Sequence, residues 1–435
     1  MTQSPAFIIA APSSGSGKTL ITLGLLRAFH NRGIRIASFK TGPDYIDPQF
    51  HELASGRACF NLDPWAMTST SLSNSYSATA EGVDLVIGEG VMGLFDGAQD
   101  GTGSTADLAD KLQLPIILVI DAKGQSASVA AILHGFNSYR PQTKIAGVIF
   151  NRVGSQIHAD MLKTAADKVD IPTLGFIPHA TTLHMPSRHL GLVQASENKD
   201  IEAFIEQAAA LITENVDLGH LAKTAKAPVL ASQKHKTTPP GRHIAVAKDI
   251  AFAFSYPHLL KRWEENGARL SFFSPLANEA PSLDADFIYL PGGYPELHAD
   301  ALSKAGNFKA GMKDAADRGA SIYGECGGYM TLGRTLTDKE GNCHPMLGLL
   351  PIDTSFAEPK RHLGYRKVSQ LIDTPFGNAG SRHMAHEFHY ASEMQNDSAT
   401  PLFEIENARG NNLGKVGAVS GNVCGSFIHL IDQVS

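Results

Sequence analysis

The sequence predicts an α/β protein made of two doubly wound, mostly parallel-sheet domains. Three observations predict it. Short apolar runs alternate with helix-length segments through both halves, the pattern of strands buried on both faces. At 435 residues the chain is long for one core. The stretch AKTAKAPVLASQKHKTTPPGR (222–242) is rich in Lys, Thr and Pro, with weak apolar periodicity, as expected of a seam. We expect a first domain over 1–225, a linker over 226–241 and a second domain over 242–435.

In the first half the strand candidates are AFIIAA (6–11), IRIASF (34–39), VDLVIGE (83–89), PIILVIDA (115–122), KIAGVIFN (144–151) and PTLGFI (172–177). Helices are expected over 18–32, 125–138 and 156–168. After the first strand comes APSSGSGKTL, whose GSGKT (15–19) reads as a phosphate loop opening a helix. Lys18 would reach phosphate oxygens and the Thr19 hydroxyl would ligate Mg²⁺. The strict pattern has Gly five residues before Gly17, where Pro12 stands here, so a plain Gly/Ser turn is the competing reading. Mg²⁺ needs further oxygen ligands. Glu89, ending VDLVIGE, and Asp44, in TGPDYIDPQFH, are placed for it, and GVMGLFDG also carries Asp96. A turn or helix cap is the ordinary use of such carboxylates. Asn151 could offer its amide to an adenine edge.

The second half places strands at HIAVAKD (243–249), RLSFFSP (269–275), DFIYLPGG (286–293) and ASIYGE (320–325). The last runs into GECGG, a G-x-C-x-G elbow that would present Cys326 as a nucleophile; a small buried thiol is the ordinary alternative. In LPGGYPELH the paired glycines could turn N–H groups toward an oxyanion, with Gly293 and Gly327 as the donors. A base is required, and His429 in VCGSFIHLID is the best-placed histidine. His386 and His389 in AHEFHY form HxxH, which on a helix could start a metal site, but no third ligand stands at useful spacing.

Composition narrows the partners. With 43% hydrophobic and 18% charged residues and a net charge of −6, neither nucleic acid nor an anionic membrane is expected as partner. Four cysteines (Cys59, Cys326, Cys343, Cys424) without CxxC suit a reducing cytoplasm. The N-terminal AFIIAAP lacks a basic flank, and LPIILVI is too short to span a bilayer.

Taken in order, TGPDYIDPQFH, EGVMGLFDG, RHLGL, YLPGGYPELHA, GECGGYM, AHEFHY and GSFIHLI resemble the a,c-diamide synthases of vitamin B12 biosynthesis. The likeness spans essentially the whole chain. Its first half is similar to dethiobiotin-synthetase-like P-loop NTPases and its second to flavodoxin-like class I glutamine amidotransferases. DIAFAFSYPHLL and FFSPLANEAP look most like the aerobic-pathway branch, which acts on a metal-free macrocycle; the cobalt-containing acid stays open.

The resemblance implies a cytoplasmic, glutamine-hydrolysing amide ligase that uses ATP, L-glutamine and Mg²⁺ on a corrinoid polycarboxylate, and it leaves a homodimer open. It implies that Ser16, Gly17, Lys18 and Thr19 hold phosphates, that Asn151 faces adenine, and that Thr19, Asp44 and Glu89 hold Mg²⁺. Cys326 would be the glutaminase nucleophile and His429 its base. Asp96, Arg188 and His189 are assigned to the substrate. Phosphorylation of a carboxylate would make a leaving group that ammonia from glutamine displaces, along an enclosed path between the domains. One departure stands out: the usual H-x-E acid is replaced by Ile431, with Asp432 one residue further, so either another carboxylate orients His429 or a dyad works alone. Two competing readings remain, a P-loop switch with a non-catalytic binding domain and a thiol hydrolase fused to an unrelated kinase.

Overall fold

The computed structural model describes residues 3–179, 187–188, 191–192, 200–231, 237–395 and 399–434. The chain divides into two compact units, Met1–Lys234 and His235–Ser435. Among the described residues no helix is long and apolar enough to cross a membrane.

The first unit runs β1 (Ala6–Ala10), α1 (Lys18–Asn31), β2 (Ile36–Thr41), α2 (Asp47–Ser55), β3 (Phe60–Leu62), α3 (Ser69–Thr79), β4 (Leu85–Glu89), α4 (Thr105–Leu112), β5 (Ile116–Asp121), α5 (Val129–Tyr139), β6 (Ile145–Val153), α6 (Gln156–Asp167) and β7 (Thr173–Pro178). It closes with the short pair β8 (Ser187–Arg188) and β9 (Gly191–Leu192), then α7 (Ile201–Asn215) and α8 (Leu218–Thr224). Seven parallel strands form one sheet in the order β3-β2-β4-β1-β5-β6-β7. Every residue of β1 (AFIIA) is buried, which explains a run without alternation: helices cover both faces. In such sheets ligands gather at the carboxyl ends of strands near the point where the order reverses. Here that is the rim carrying the loops after β1, β2 and β4. Helix α5 starts at Val129, four residues later than expected, because 125–128 form turns.

The first part of the expected linker lies along this unit. Lys226 exchanges both backbone hydrogen bonds with Ala6 (2.8 and 2.9 Å), and the Val229 N–H donates to Leu112 O.

The second unit runs β10 (His243–Ala247), α9 (Pro257–Glu265), β11 (Arg269–Phe273), β12 (Phe287–Leu290), α10 (Ala299–Lys304), α11 (Gly306–Asp317), β13 (Ser321–Glu325) and α12 (Gly327–Leu332). Then come β14 (Thr335–Thr337), β15 (Cys343–Pro345), β16 (Asp353–Ser355), β17 (His362–Gln370), β18 (Arg382–His389), β19 (Ser392–Gln395), β20 (Phe403–Asn407), β21 (Asn412–Val416), β22 (Ala418–Ser420), β23 (Val423–Ser426) and β24 (Ile428–Gln433). The central sheet has the order β11-β10-β12-β13-β23-β22, parallel except for its last pair. The α/β expectation holds for both units.

Two further sheets lie outside that expectation. β15-β14-β16-β19 is mixed, and β21-β20-β17-β18-β24 is antiparallel throughout. β17 is half-buried: in HLGYRKVSQ only Val368 and Gln370 are fully covered, so no continuous apolar run marks it. β23 and β24 are separated by Phe427 alone, and the chain passes there from the parallel sheet to the antiparallel one.

Candidate functional site

The loop from Pro12 to Gly17 leaves β1 and enters α1 at its N-terminus. Gly15 (φ 78°) and Gly17 (φ 96°) take left-handed conformations that a side chain disfavours. Gly17 caps α1 without a side-chain hydrogen bond, so the first-turn N–H groups have no side-chain cap. Ser16 is buried and its hydroxyl donates to Ser13 O (2.9 Å). Lys18 is also buried and donates to Met92 O (2.6 Å); burial holds its ammonium below the ordinary range, with Glu89 opposing that shift. Thr19 Oγ1 donates to Glu89 Oε1 at 2.7 Å, so the structure brings these two expected metal ligands together.

Asp44 is used differently from Glu89. Its Oδ1 accepts from the N–H groups of Ile46 and Asp47 (2.8 and 3.1 Å), capping the entry to α2, while its Oδ2 lies 4.0 Å from Lys40 Nζ. Asn151 is buried; its amide donates to Ser16 O (2.9 Å) and its Oδ1 accepts from Arg152 N–H (2.9 Å). These bonds clamp the phosphate loop. Asp96 is exposed and its Oδ2 accepts from Gly93 N–H (2.9 Å), closing the turn after β4. Arg188 lies on β8, and His189 lies outside the described residues.

Three residues here escaped the sequence reading. Lys40, at the carboxyl end of β2, is buried with its ammonium 2.5 Å from Asp47 and 2.8 Å from Glu89. Burial would lower its pKa, but Asp47, Glu89 and Asp44 outweigh that and raise it. His51 Nε2 lies 2.6 Å from Glu89 Oε2, and its pKa is pushed up to about 10 because Cys59 and Glu89 overcome the effect of burial. Lys40 and His51 together hold the Glu89 carboxyl well below its usual range despite its burial. The signal was available: Asp47 and His51, four apart on α2, share one helix face. Lys40, Asp47 and Glu89 line a cavity of about 650 Å³ with Lys18, Thr19, Asp44 and Asn151. Asp47 Oδ1 is buried there without a hydrogen-bond partner. A crowded set of hard oxygen donors with an orphaned carboxylate oxygen fits a divalent cation such as Mg²⁺.

In the second unit Cys326 stands between β13 and α12 with φ 50° and ψ −100°, a conformation costly for any residue with a side chain. The surroundings enforce it. Cys326 N–H donates to Ser426 O (2.8 Å), and Gly328 N–H donates to Pro291 O (3.0 Å). A side chain on Gly328 would collide with the Leu290 carbonyl, so the elbow needs glycine there. A Cβ on Gly327 would lie 2.9 Å from the Gly293 nitrogen, which puts the two expected oxyanion donors side by side.

The structure also brings the expected base to the nucleophile. His429, fully buried on β24, stands beside Cys326, and both rim Gly292. Burial pulls the His429 pKa down, but Cys326 and Glu325 push it up to about 10. His429 Nδ1 lies 3.2 Å from Glu325 Oε1. Asp432 is engaged elsewhere, 2.6 Å from Arg262.

AHEFHY lies on strand β18, not on a helix, so His386 and His389 point to opposite faces and cannot converge. The groups that gather around His389 come from elsewhere on β17 and β18. His362, Glu387 and His389 hold ligand-type atoms all within 4.8 Å of one another. Arg366 binds Glu387 Oε2 through two nitrogens (both 2.6 Å), which satisfies the carboxylate as an ion pair.

Comparison with known proteins agrees with both sites. Residues 7–193 match the CobQ/CobB/MinD/ParA nucleotide binding domain, and residues 243–433 the CobB/CobQ-like glutamine amidotransferase domain. The chain is 52% identical over 430 residues to the hydrogenobyrinate a,c-diamide synthase of Brucella anthropi, covering 98% of both. Proteins of that name from Rhizobium meliloti (51% over 425 residues, 98% of both) and Rhodobacter capsulatus (47% over 427, 97% of this chain and 98% of that one) are similar throughout. The chain belongs to the family of the hydrogenobyrinate a,c-diamide synthases, in which a nucleotide-binding domain precedes a glutamine amidotransferase domain.

Proposed function

We propose that this chain amidates the a and c acetate side chains of hydrogenobyrinic acid, with ATP activating each carboxylate and glutamine supplying ammonia. The observation that carries this reading is the presence in one chain of a phosphate loop facing Glu89 and an elbow cysteine beside a buried histidine. The name shared by its relatives supplies the macrocycle.

A carboxylate resists ammonia because it is anionic and has no good leaving group. Transfer of the γ-phosphoryl group of ATP to a substrate oxygen gives an acyl phosphate and ADP; ammonia then displaces phosphate and leaves an amide. Lys18, the Gly15–Gly17 loop and the N-terminus of α1 hold phosphate oxygens and offset developing charge. Thr19, Asp44 and Glu89, with Asp47 beside them, would hold Mg²⁺, which when bound neutralises phosphate charge. Asn151 keeps the loop in shape next to the nucleotide, with its remaining amide capacity for adenine. Asp96, Arg188 and His189 are assigned to the polycarboxylate.

At the second site the Cys326 thiolate attacks the side-chain amide of glutamine. The tetrahedral oxyanion is received by the Gly293 and Gly327 N–H groups, each such donor being worth about 10²–10³ in rate. His429 gives its proton to the departing ammonia, and water attacking the thioester releases glutamate and regenerates the thiol. The test is to offer hydrogenobyrinic and cobyrinic acids separately with ATP, Mg²⁺ and glutamine and read hydroxyl-to-amide exchange by mass. Two exchanges on the metal-free acid are expected. Exchange on the cobalt acid alone would reassign the substrate, and exchange on neither would overturn the reading.

A further inference from the structure

His429 lacks the acid that the H-x-E spacing would provide, since Ile431 occupies that position and Asp432 is paired with Arg262. Another carboxylate stands where it is needed, and it comes from the nucleophile's own strand. Glu325, the last residue of β13, lies directly before Cys326. Its side chain and that of His429 are each 1% exposed. Both carboxylate oxygens are held. Oε1 faces His429 Nδ1 (3.2 Å) and accepts from the Tyr289 hydroxyl (3.0 Å), and Oε2 accepts from Leu430 N–H (3.2 Å).

A carboxylate can only accept, so the His429 Nδ1 in this pair carries the hydrogen. The lone pair, or the second proton, is thereby assigned to Nε2, the nitrogen left for work on sulfur. The Leu430 contact ties the same carboxylate to the backbone next to the histidine, which fixes the ring's height as well as its tautomer.

We propose that Glu325 is the positioning residue of the glutaminase site, completing a Cys326–His429–Glu325 triad in which nucleophile and acid are consecutive in sequence. This rests on the glutaminase reading above. The sharp backbone turn at Cys326 makes it possible, because neighbours on a regular strand point to opposite faces, and here one chain segment serves the histidine from two sides. The acid after the histidine is then dispensable, and Ile431 can remain apolar.

The other titratable groups facing this pair are Tyr289, Tyr323 and His386. Burial raises both phenols far above their ordinary values and lowers His386 to about 3, so all three stay neutral near pH 7. None of the three then masks the titration of His429 in a pH–rate profile.

The experiment measures glutamate release from glutamine by the full-length wild type, Cys326→Ala, Glu325→Gln and Glu325→Asp across pH. In Glu325→Gln we expect kcat to fall about 10²–10⁴-fold with KM for glutamine within about twofold, because Glu325 does not touch the substrate. The alkaline limb of kcat/KM should move down by about one pH unit or more as the imidazolium loses its countercharge. Glu325→Asp, which keeps the charge, should recover at least about tenfold of that loss. A purely structural role would move neither the limb nor the Gln-to-Asp difference. Wild-type rate and limb in Glu325→Gln would overturn the proposal and leave the glutaminase intact, as would, if that variant does not fold, a wild-type His429 whose nitrogen NMR spectrum shows no hydrogen on Nδ1. No difference between wild type and Cys326→Ala would overturn both.

Discussion

Cys326 occupies a backbone conformation that costs free energy, and the hydrogen bonds from its own N–H and from Gly328 keep it there. Lys40 stands in a comparable position in the first unit, a buried cation shared among carboxylates. Removing it leaves Asp47 and Glu89 buried with less countercharge. Lys40→Ala should therefore lower stability by about 3–5 kcal/mol in chemical denaturation; a change below about 1 kcal/mol would mean that His51 alone suffices to hold Glu89. The Glu387 carboxyl makes stability depend on pH. Burial would raise its pKa, but His389 and Arg366 overcome this and hold it at about 2, against 4.5 ordinarily. A depressed acid contributes stability above its unfolded pKa and loses that contribution as pH falls through the folded value. Acid unfolding should thus show a loss on the order of 2–3 kcal/mol between about pH 4.5 and 2, and Glu387→Gln should flatten that limb. Glu325 was hidden in the sequence because its partner His429 stands far along the chain, while Asp47 and His51 showed a shared helix face without naming Lys40 and Glu89 as their partners.

Helix α1 joins the phosphate loop to the packing behind it, and its close approach to α7 depends on Gly24. A Cβ at Gly24 would lie 2.7 Å from the Ala208 carbonyl and 2.5 Å from Ile212 Cγ1. Alanine normally gains up to about 1 kcal/mol over glycine inside a helix. Here overpacking of about 1–3 kcal/mol should reverse the sign, so Gly24→Ala should lower the melting temperature; a rise would show that α7 can shift freely. The helices and parallel strands were legible where apolar runs are unbroken, as in AFIIA and IILVID, since burial on both faces leaves nothing polar to interrupt them. β17 and β18 were not, because β17 is half-buried and β18 buries histidines and a glutamate among its apolar positions. HxxH offered no third ligand in the sequence, and the strand register that pairs His362 with His389 across β17 and β18 supplies a neighbour that spacing along the chain could not show.

The molecule carries two kinds of site on one chain: a cationic phosphate loop with a carboxylate cluster, and a thiol with an imidazole. The combination was legible because each motif sits at a strand end, where an α/β sheet exposes residues to ligand. Pro12, in place of the first glycine of the phosphate loop, did not disturb it, since the positive φ values fall at Gly15 and Gly17. The identity of the macrocycle was not legible from either site, and it comes from the family. The central claim is that nitrogen released at Cys326 ends in amides made at the ATP site. The direct measurement supplies wild type and Cys326→Ala with hydrogenobyrinic acid, ATP, Mg²⁺ and glutamine labelled with heavy nitrogen in its side-chain amide, and reads the product by mass. We expect two labelled amides from the wild type and none from Cys326→Ala, with unlabelled amides restored to the variant by added ammonium. Labelled product from Cys326→Ala would contradict the claim.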